Sequence, residues 1–481
     1  MHPISDHHFI GGELWRSSSN ARIEVLNPSS GLVLGEIPDG DITDIDHAIT
    51  SAVAAGPGWA DRSPRERSTV LVNLANLLRV HAEELARLDS MDSGRTLAET
   101  RAQVSRSAEQ LEYCAAVADK LEGRVVPLNS GFSASTMLEP YGVIGALTPW
   151  NAPLLQITQK TSHAIAAGNT VVVKPSPLAC FSTLHYGMLA QEAGLPAGVL
   201  SIVMGGADTG QALVQDERIA KVTFTGSVKT GRHIAGVCGA RGASVALELG
   251  GKCPLLIFAD CDLEGAAVDT ARASFGTTGQ SCVSAARILV EASVYDDFLQ
   301  LLKSETGKYI GGDPLHEETV MGPMISAAAR DHVVSLLEDA ISVGAQVAGG
   351  EWPPHSQQEG GFFMNPVLLE DVPETARIKR EEIFGPVTCI ERFDDEEAGV
   401  LSANTGFFGL AAGAYTTNAS RVRRLQRNLH AGNVWINCYK MLDPALPFGG
   451  DKASGIGREC GIDGILNFVK PKSLVEAIRT N

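Results

Sequence analysis

Apolar positions repeat with two different periods along the chain. From Ser63 the run SPRERSTVLVNLANLLRVHAEELARL places leucine, valine and alanine at helical spacing. A capping serine, a proline at the first helical position and Glu66 closing a capping box precede them, so the pattern predicts one long amphipathic helix. Past Pro140 short apolar runs bounded by Gly, Pro or Asn take over: TVVVK (170–174), VLSIVMG (199–205), KVTFTG (221–226), SVALELG (244–250) and PLLIF (254–258). Between them LLQITQKTSHAIAAG, FSTLHYGMLAQEAG and RHIAGVCGA keep helical patterns, several closing on a glycine. Apolar strands alternating with helices predict parallel βα units, hence an α/β fold. A second set begins near residue 260, with helices expected at 262–275, 294–304, 328–343 and 419–429 and a strand at 432–437. Two α/β bodies are expected, with no internal repeat.

Length and charge narrow the classes. The 481 residues allow about three units of ~150 residues. A net charge of −17 without any Lys/Arg block speaks against nucleic acid as a partner. An acidic chain also suits an anionic membrane surface poorly, and no apolar stretch reaches the ~18 residues of a membrane span. The start, MHPISDHHFIGGELW, lacks the basic and apolar regions of a secretory signal. Nine scattered cysteines without a C-x-x-C suggest neither a disulfide framework nor a zinc site, so no metal is expected and a reducing cytoplasm fits. His7 and His8 beside Asp6 read as a solvated terminal pair rather than metal ligands.

Several short stretches could carry chemistry. In FGTTGQSCVSAAR (275–287), Gly279, Gln280 and Ser281 would let backbone N–H groups approach an atom held at Cys282. Taken alone, a cysteine in such a window is as readily a small core hydrophobe. In LTPWNAPL (147–154), prolines flank Trp150 and Asn151; a held Asn amide can donate to developing negative charge, although a turn accounts for the same residues. Glu248 ends the apolar strand of ALELGGKCP. A buried carboxylate there should titrate high and suit a general base, against the alternative of a structural ion pair. VTFTGSVKTGRHIAG supplies Gly226, Ser227 and then Gly231 opening a helix, where backbone N–H groups and the Ser227 hydroxyl could hold a pyrophosphate. It is neither G-x-G-x-x-G nor a Walker loop. Lys174, at another strand end, could bond ribose hydroxyls or cap a sheet edge.

TPWN, KPS, FTGS, ELGGK, GQSC, EEIFGP (381–386) and PFGGDKASGIGRE (447–459) stand together in this order. In that combination the chain resembles the NAD(P)-dependent aldehyde dehydrogenase superfamily over essentially its whole length. The resemblance implies Cys282 as nucleophile, Glu248 as general base, and Asn151 as the side chain sharing an oxyanion hole with the Cys282 N–H. It further implies Lys174 and Ser176 on the adenosine ribose, Gly226, Ser227 and Gly231 at the pyrophosphate turn, Glu382 and Phe384 on the nicotinamide ribose and ring, and Trp150 in the same groove. Lys160 and Glu459 match a proton-relay pair. The implied reaction passes through a thiohemiacetal and a thioester on Cys282 to a carboxylic acid.

The resemblance also implies a Rossmann-like cofactor domain from residues 1–118 and 139–247, a catalytic domain at 248–445, and bridging or oligomerisation segments at 119–138 and 460–481. A homodimer or homotetramer is expected, with NFVKPKSLVEAI pairing with a neighbour.

Departures from the family pattern bear on specificity. Pro177 stands where many members carry a Glu on the adenosine ribose, which predicts NAD use with weak discrimination against NADP. Ala152 and Gln159 replace frequent aromatics, while Phe448 is kept, so the cleft should admit larger aromatic or semialdehyde substrates. Two rivals are a CoA-acylating semialdehyde dehydrogenase, whose members commonly lack the base in ELGGK, and a non-catalytic relative.

Overall fold

The computed structural model describes residues 6–353 and 360–478. Met1–Ser5, residues 354–359 and residues 479–481, which belong to segments assigned above, lie outside the described residues. Two sheets organise the chain. The first has eight strands; its five parallel members are, across the sheet, Ser244–Glu248, Ile219–Thr225, Val143–Thr148, Thr170–Pro175 and Leu200–Ile202. Gly455–Ile456 adds an antiparallel edge beside Ser244–Glu248, and the hairpin His7–Ile10 and Glu13–Arg16 closes the other side.

Side chains of the central strands alternate between two cores, as a doubly wound sheet requires. Ile144, Val171 and Val173 pack with helices Pro64–Val80, Leu97–Val117 and Pro153–Ala166. Val143, Val172 and Val222 pack on the other face with Ile42–Ala60 and Val228–Ala240. The second sheet has seven strands and the same logic: Leu255 and Ile257 enter one core, Leu256 the other.

Two expectations need correction. The long helix from Ser63 is two helices, Pro64–Val80 and Ala82–Ser93. The capping box at Ser63 and Glu66 is present, but His81 leaves helical geometry at φ −96°, ψ 19°, and its Nδ1 lies 3.1 Å from the Glu84 carboxylate. That local partner competes with helix continuation. Second, His8 is not solvated. It is fully buried, its Nδ1 accepts the Met204 N–H at 3.0 Å, and its Nε2 lies 3.2 Å from Asp44. The tail strand Val469–Ala477 pairs antiparallel with Phe132–Pro140 of its own chain, with Arg124–Val125 on the far side. Its nine-residue register leaves one edge of the tail open.

Candidate active site

Strand order in the first sheet reverses between Val143–Thr148 and Ile219–Thr225. The two chains leaving these strands part there and open a crevice, the usual ligand position in such sheets. Trp150 and Asn151 follow the first strand and lead into helix Pro153–Ala166; Gly226 and Ser227 follow the second and lead into Val228–Ala240. Glu248 is the last residue of the neighbouring strand.

The Cys282 loop reaches this crevice from the second body on strained backbone. Thr277, Thr278 and Gly279 are consecutively left-handed, at φ 58°, 55° and 67°. Gly279 has no alternative, since a Cβ would sit 2.0 Å from the Gly385 carbonyl oxygen. Thr277 N–H donates to Glu99 at 2.7 Å, and the Gln280 side chain ties the loop to Pro323 and Ile325. Asn151 Nδ2 donates to the Gln280 carbonyl at 3.1 Å, and Arg95 donates to the Asn151 carbonyl at 2.7 Å. The amide is therefore anchored beside the Cys282 loop. Burial pushes the Cys282 thiol well up, and Cys253, Glu382 and Glu248 push it further, while Lys440 pulls it down.

Glu248 is buried, and its Oε2 has no hydrogen-bond partner among the described residues. Burial raises its pKa well above the carboxylate range, with the Glu459 charge adding to the rise and Lys160 and Arg458 opposing it. Lys160 and Glu459 are joined at 2.6 Å, and Lys160 also donates to Thr223 at 3.1 Å. They form a closed pair next to an open carboxylate.

Along the crevice, burial pushes the Lys174 ammonium down to about 8, and it has no hydrogen-bond partner among the described residues. Ser176 accepts from Leu178 N–H. Ser227 caps its helix by accepting from Thr230 N–H at 3.2 Å. The helix opens at Val228, so Gly231 lies within it rather than starting it. Its N–H is spent on Ser227 O, and a Cβ there would strike Leu249 at 2.4 Å. The donors facing outward are those of the first turn. Glu382 accepts from Gly251 N–H at 3.0 Å, and burial pushes it up to about 7. The Trp150 ring meets Phe384 edge-on, with centroids 5.4 Å apart. A buried ammonium without a hydrogen-bond partner and a free helix start are the set that fits a dinucleotide.

On the other side of Cys282 lies a cavity of about 720 Å³. Asn151, Ala152, Gln159 and Phe448 line it together with Cys282. Trp435, Arg95 and Lys440 also line it, and sequence reasoning missed all three. No local signal marks them: Lys440 stands 158 positions from Cys282 in the chain, and only the fold brings them into one space.

A doubly wound crevice thus meets a cysteine loop, an anchored amide and a buried carboxylate in an α/β protein. Residues 15–474 match the model of the aldehyde dehydrogenase family, and the chain belongs to that family. It is 39% identical over 480 residues to the phenylacetaldehyde dehydrogenase of Pseudomonas fluorescens, covering 97% of this chain and 95% of that one. Among solved structures it resembles a betaine aldehyde dehydrogenase of Staphylococcus aureus in complex with NAD+, with TM-score 0.97, 31% identity and coverage of 99% and 96%. It also resembles an NADP-dependent enzyme of E. coli, with TM-score 0.96, 36% identity and 98% of each chain covered.

Proposed function

We propose that the protein oxidises a larger aldehyde, aromatic or semialdehyde in kind, to its carboxylic acid with NAD, tolerating NADP. The observation that carries the reading is the meeting of Cys282 and Asn151 in one large cavity, with Glu248, one of whose carboxylate oxygens lacks a partner, close enough to perturb the thiol. Cys282 attacks the carbonyl, and its developing oxyanion takes the Asn151 amide in place of the Gln280 carbonyl, together with the Cys282 N–H. Lys174, Ser176, the first turn after Ser227, Glu382, Phe384 and Trp150 would hold the dinucleotide. The chemistry a bound nicotinamide supplies there is acceptance of a hydride, which leaves a thioester on Cys282. Glu248 then takes a proton from the attacking water, and the Lys160–Glu459 pair offers that proton a way onward. The presence of Glu248 argues against CoA as the acyl acceptor.

The similarity to a phenylacetaldehyde dehydrogenase supports the substrate class, as does the small Ala152 in a cavity of about 720 Å³. Arg95 and Lys440 in the lining count against a cationic substrate such as betaine aldehyde. Likeness to both an NAD+ complex and an NADP-dependent enzyme supports mixed cofactor use. The open edge at Val469–Ala477, bearing exposed Leu474 and Val475, supports a homodimer or homotetramer. Nine free thiols among the described residues support a reducing cytoplasm.

Purified protein tested against aliphatic, aromatic and carboxylated aldehydes with each cofactor should form NADH or NADPH. Cys282→Ala should reduce turnover on the order of 10⁴-fold. Turnover surviving in that variant, or an acyl-CoA product when CoA is added, would sink the proposal.

A further inference from the structure

Lys440 follows strand Asn433–Ile436 and lines the cavity that holds Cys282. Its backbone is left-handed at φ 56°, a strained setting for a side chain to be held in. The ammonium has no hydrogen bond or ion pair among the described residues. The charged and titratable groups facing it are Glu99, Cys282, Arg95 and Cys253. Glu99 is already engaged: it accepts from Thr277 N–H at 2.7 Å and Thr96 N–H at 3.2 Å, and lies 3.8 Å from Arg95. Arg95 is engaged in turn by the Asn151 carbonyl and, with its amide turned, by Gln103.

Lys440 is half-buried at the cavity wall, so its ammonium is open to an anion that enters the cavity. We propose that Lys440 sets substrate specificity, receiving a carboxylate carried by the aldehyde at the end remote from its reacting carbonyl. This rests on the cavity being the aldehyde channel to Cys282, and it narrows the substrate class to aldehydes that bear a carboxylate. Burial pushes Lys440 down to about 8, so the ammonium is still mostly charged at neutral pH and can make a charge-assisted hydrogen bond.

The test pairs aldehydes of equal chain length ending in carboxylate or in methyl, at three lengths, with the native enzyme, Lys440→Met and Lys440→Arg. In the native enzyme kcat/KM should favour the carboxylate at one length by about tenfold or more. Lys440→Met should remove that preference through KM, read as the ratio of the two aldehydes within each variant so that any common effect through the Cys282 thiol cancels, and Lys440→Arg should keep part of it. A preference unchanged in Lys440→Met overturns the assignment. So does an equal fall for both aldehydes, which would make Lys440 a partner of the thiol rather than of the substrate. Calorimetry reads the site without turnover. The dicarboxylic acid product should bind Cys282→Ala about tenfold more tightly than Cys282→Ala/Lys440→Met, and equal affinities overturn the assignment. No NADH from any aldehyde with the native enzyme would strike at aldehyde oxidation itself, and the calorimetry would still decide Lys440.

Discussion

Two buried carboxylates of the first α/β body sit in opposite circumstances. Asp44, under the amino-terminal hairpin, is met by Trp15 Nε1 at 3.3 Å, Ser17 Oγ at 2.6 Å, Asp41 N–H at 3.2 Å and His8 Nε2 at 3.2 Å. Burial would raise its pKa, but the close approach of His8 and the hydrogen bonds from Ser17 and the Asp41 N–H outweigh it and hold the carboxyl well below its usual range. Glu248, at the crevice, has one oxygen without a partner and is pushed the other way by burial and by Glu459. Where donors surround the charge, it holds the hairpin to the sheet. Where donors are fewer, the carboxyl titrates high, as the general base proposed for Glu248 requires.

The contrast can be broken at three points. Glu248→Gln should lower steady-state turnover about 10²- to 10⁴-fold. It should leave a single burst of NADH and a protein whose intact mass carries the acyl group; a normal steady rate would remove Glu248 from hydrolysis. Because the native-state pKa of Glu248 is raised, its charge costs stability above about pH 4.5, so this variant should be no less stable than the native chain at neutral pH. Native activity should rise with pH as Glu248 ionises.

Asp44→Ala should do the reverse. Urea unfolding should show a loss of about 3 kcal/mol while kcat/KM of the folded protein stays unchanged. The native-state pKa of Asp44 lies below the unfolded value of 3.8, so the lost contribution is the part present above about pH 4 that fades as pH falls further. Equal stabilities at neutral pH would contradict a structural role. The smallest effect belongs to Pro177→Glu. A carboxylate beside the adenosine ribose should cut kcat/KM with NADP about fivefold and leave NAD within about twofold. If both cofactors respond alike, Pro177 does not set the choice.

Residues whose chemistry depends on near neighbours were legible in the chain. The apolar run before Glu248 announces a buried strand end, and the prolines around Asn151 announce a held turn. Most helices and strands after residue 140 followed from period and glycine punctuation, because each carries its own signal. The break at His81 turned on a weak local contact with Glu84, whereas other features depended on partners far away in sequence. His8 lies next to Asp6 and His7 in the chain, but its true partners are Asp44 and Met204. The tail strand has an edge pattern that says it will pair, and nothing local says with which strand. Lys440 is one more lysine in a loop until the second body folds around it.

The contact between Gly279 and the Gly385 carbonyl joins two loops that the chain keeps about a hundred residues apart. One loop leads to Cys282, the proposed nucleophile; the other carries Glu382 and Phe384, the proposed grip on the nicotinamide ribose. With no room for even a methyl group between them, Gly279→Ala should push the two loops apart and so disturb both proposed seats at once.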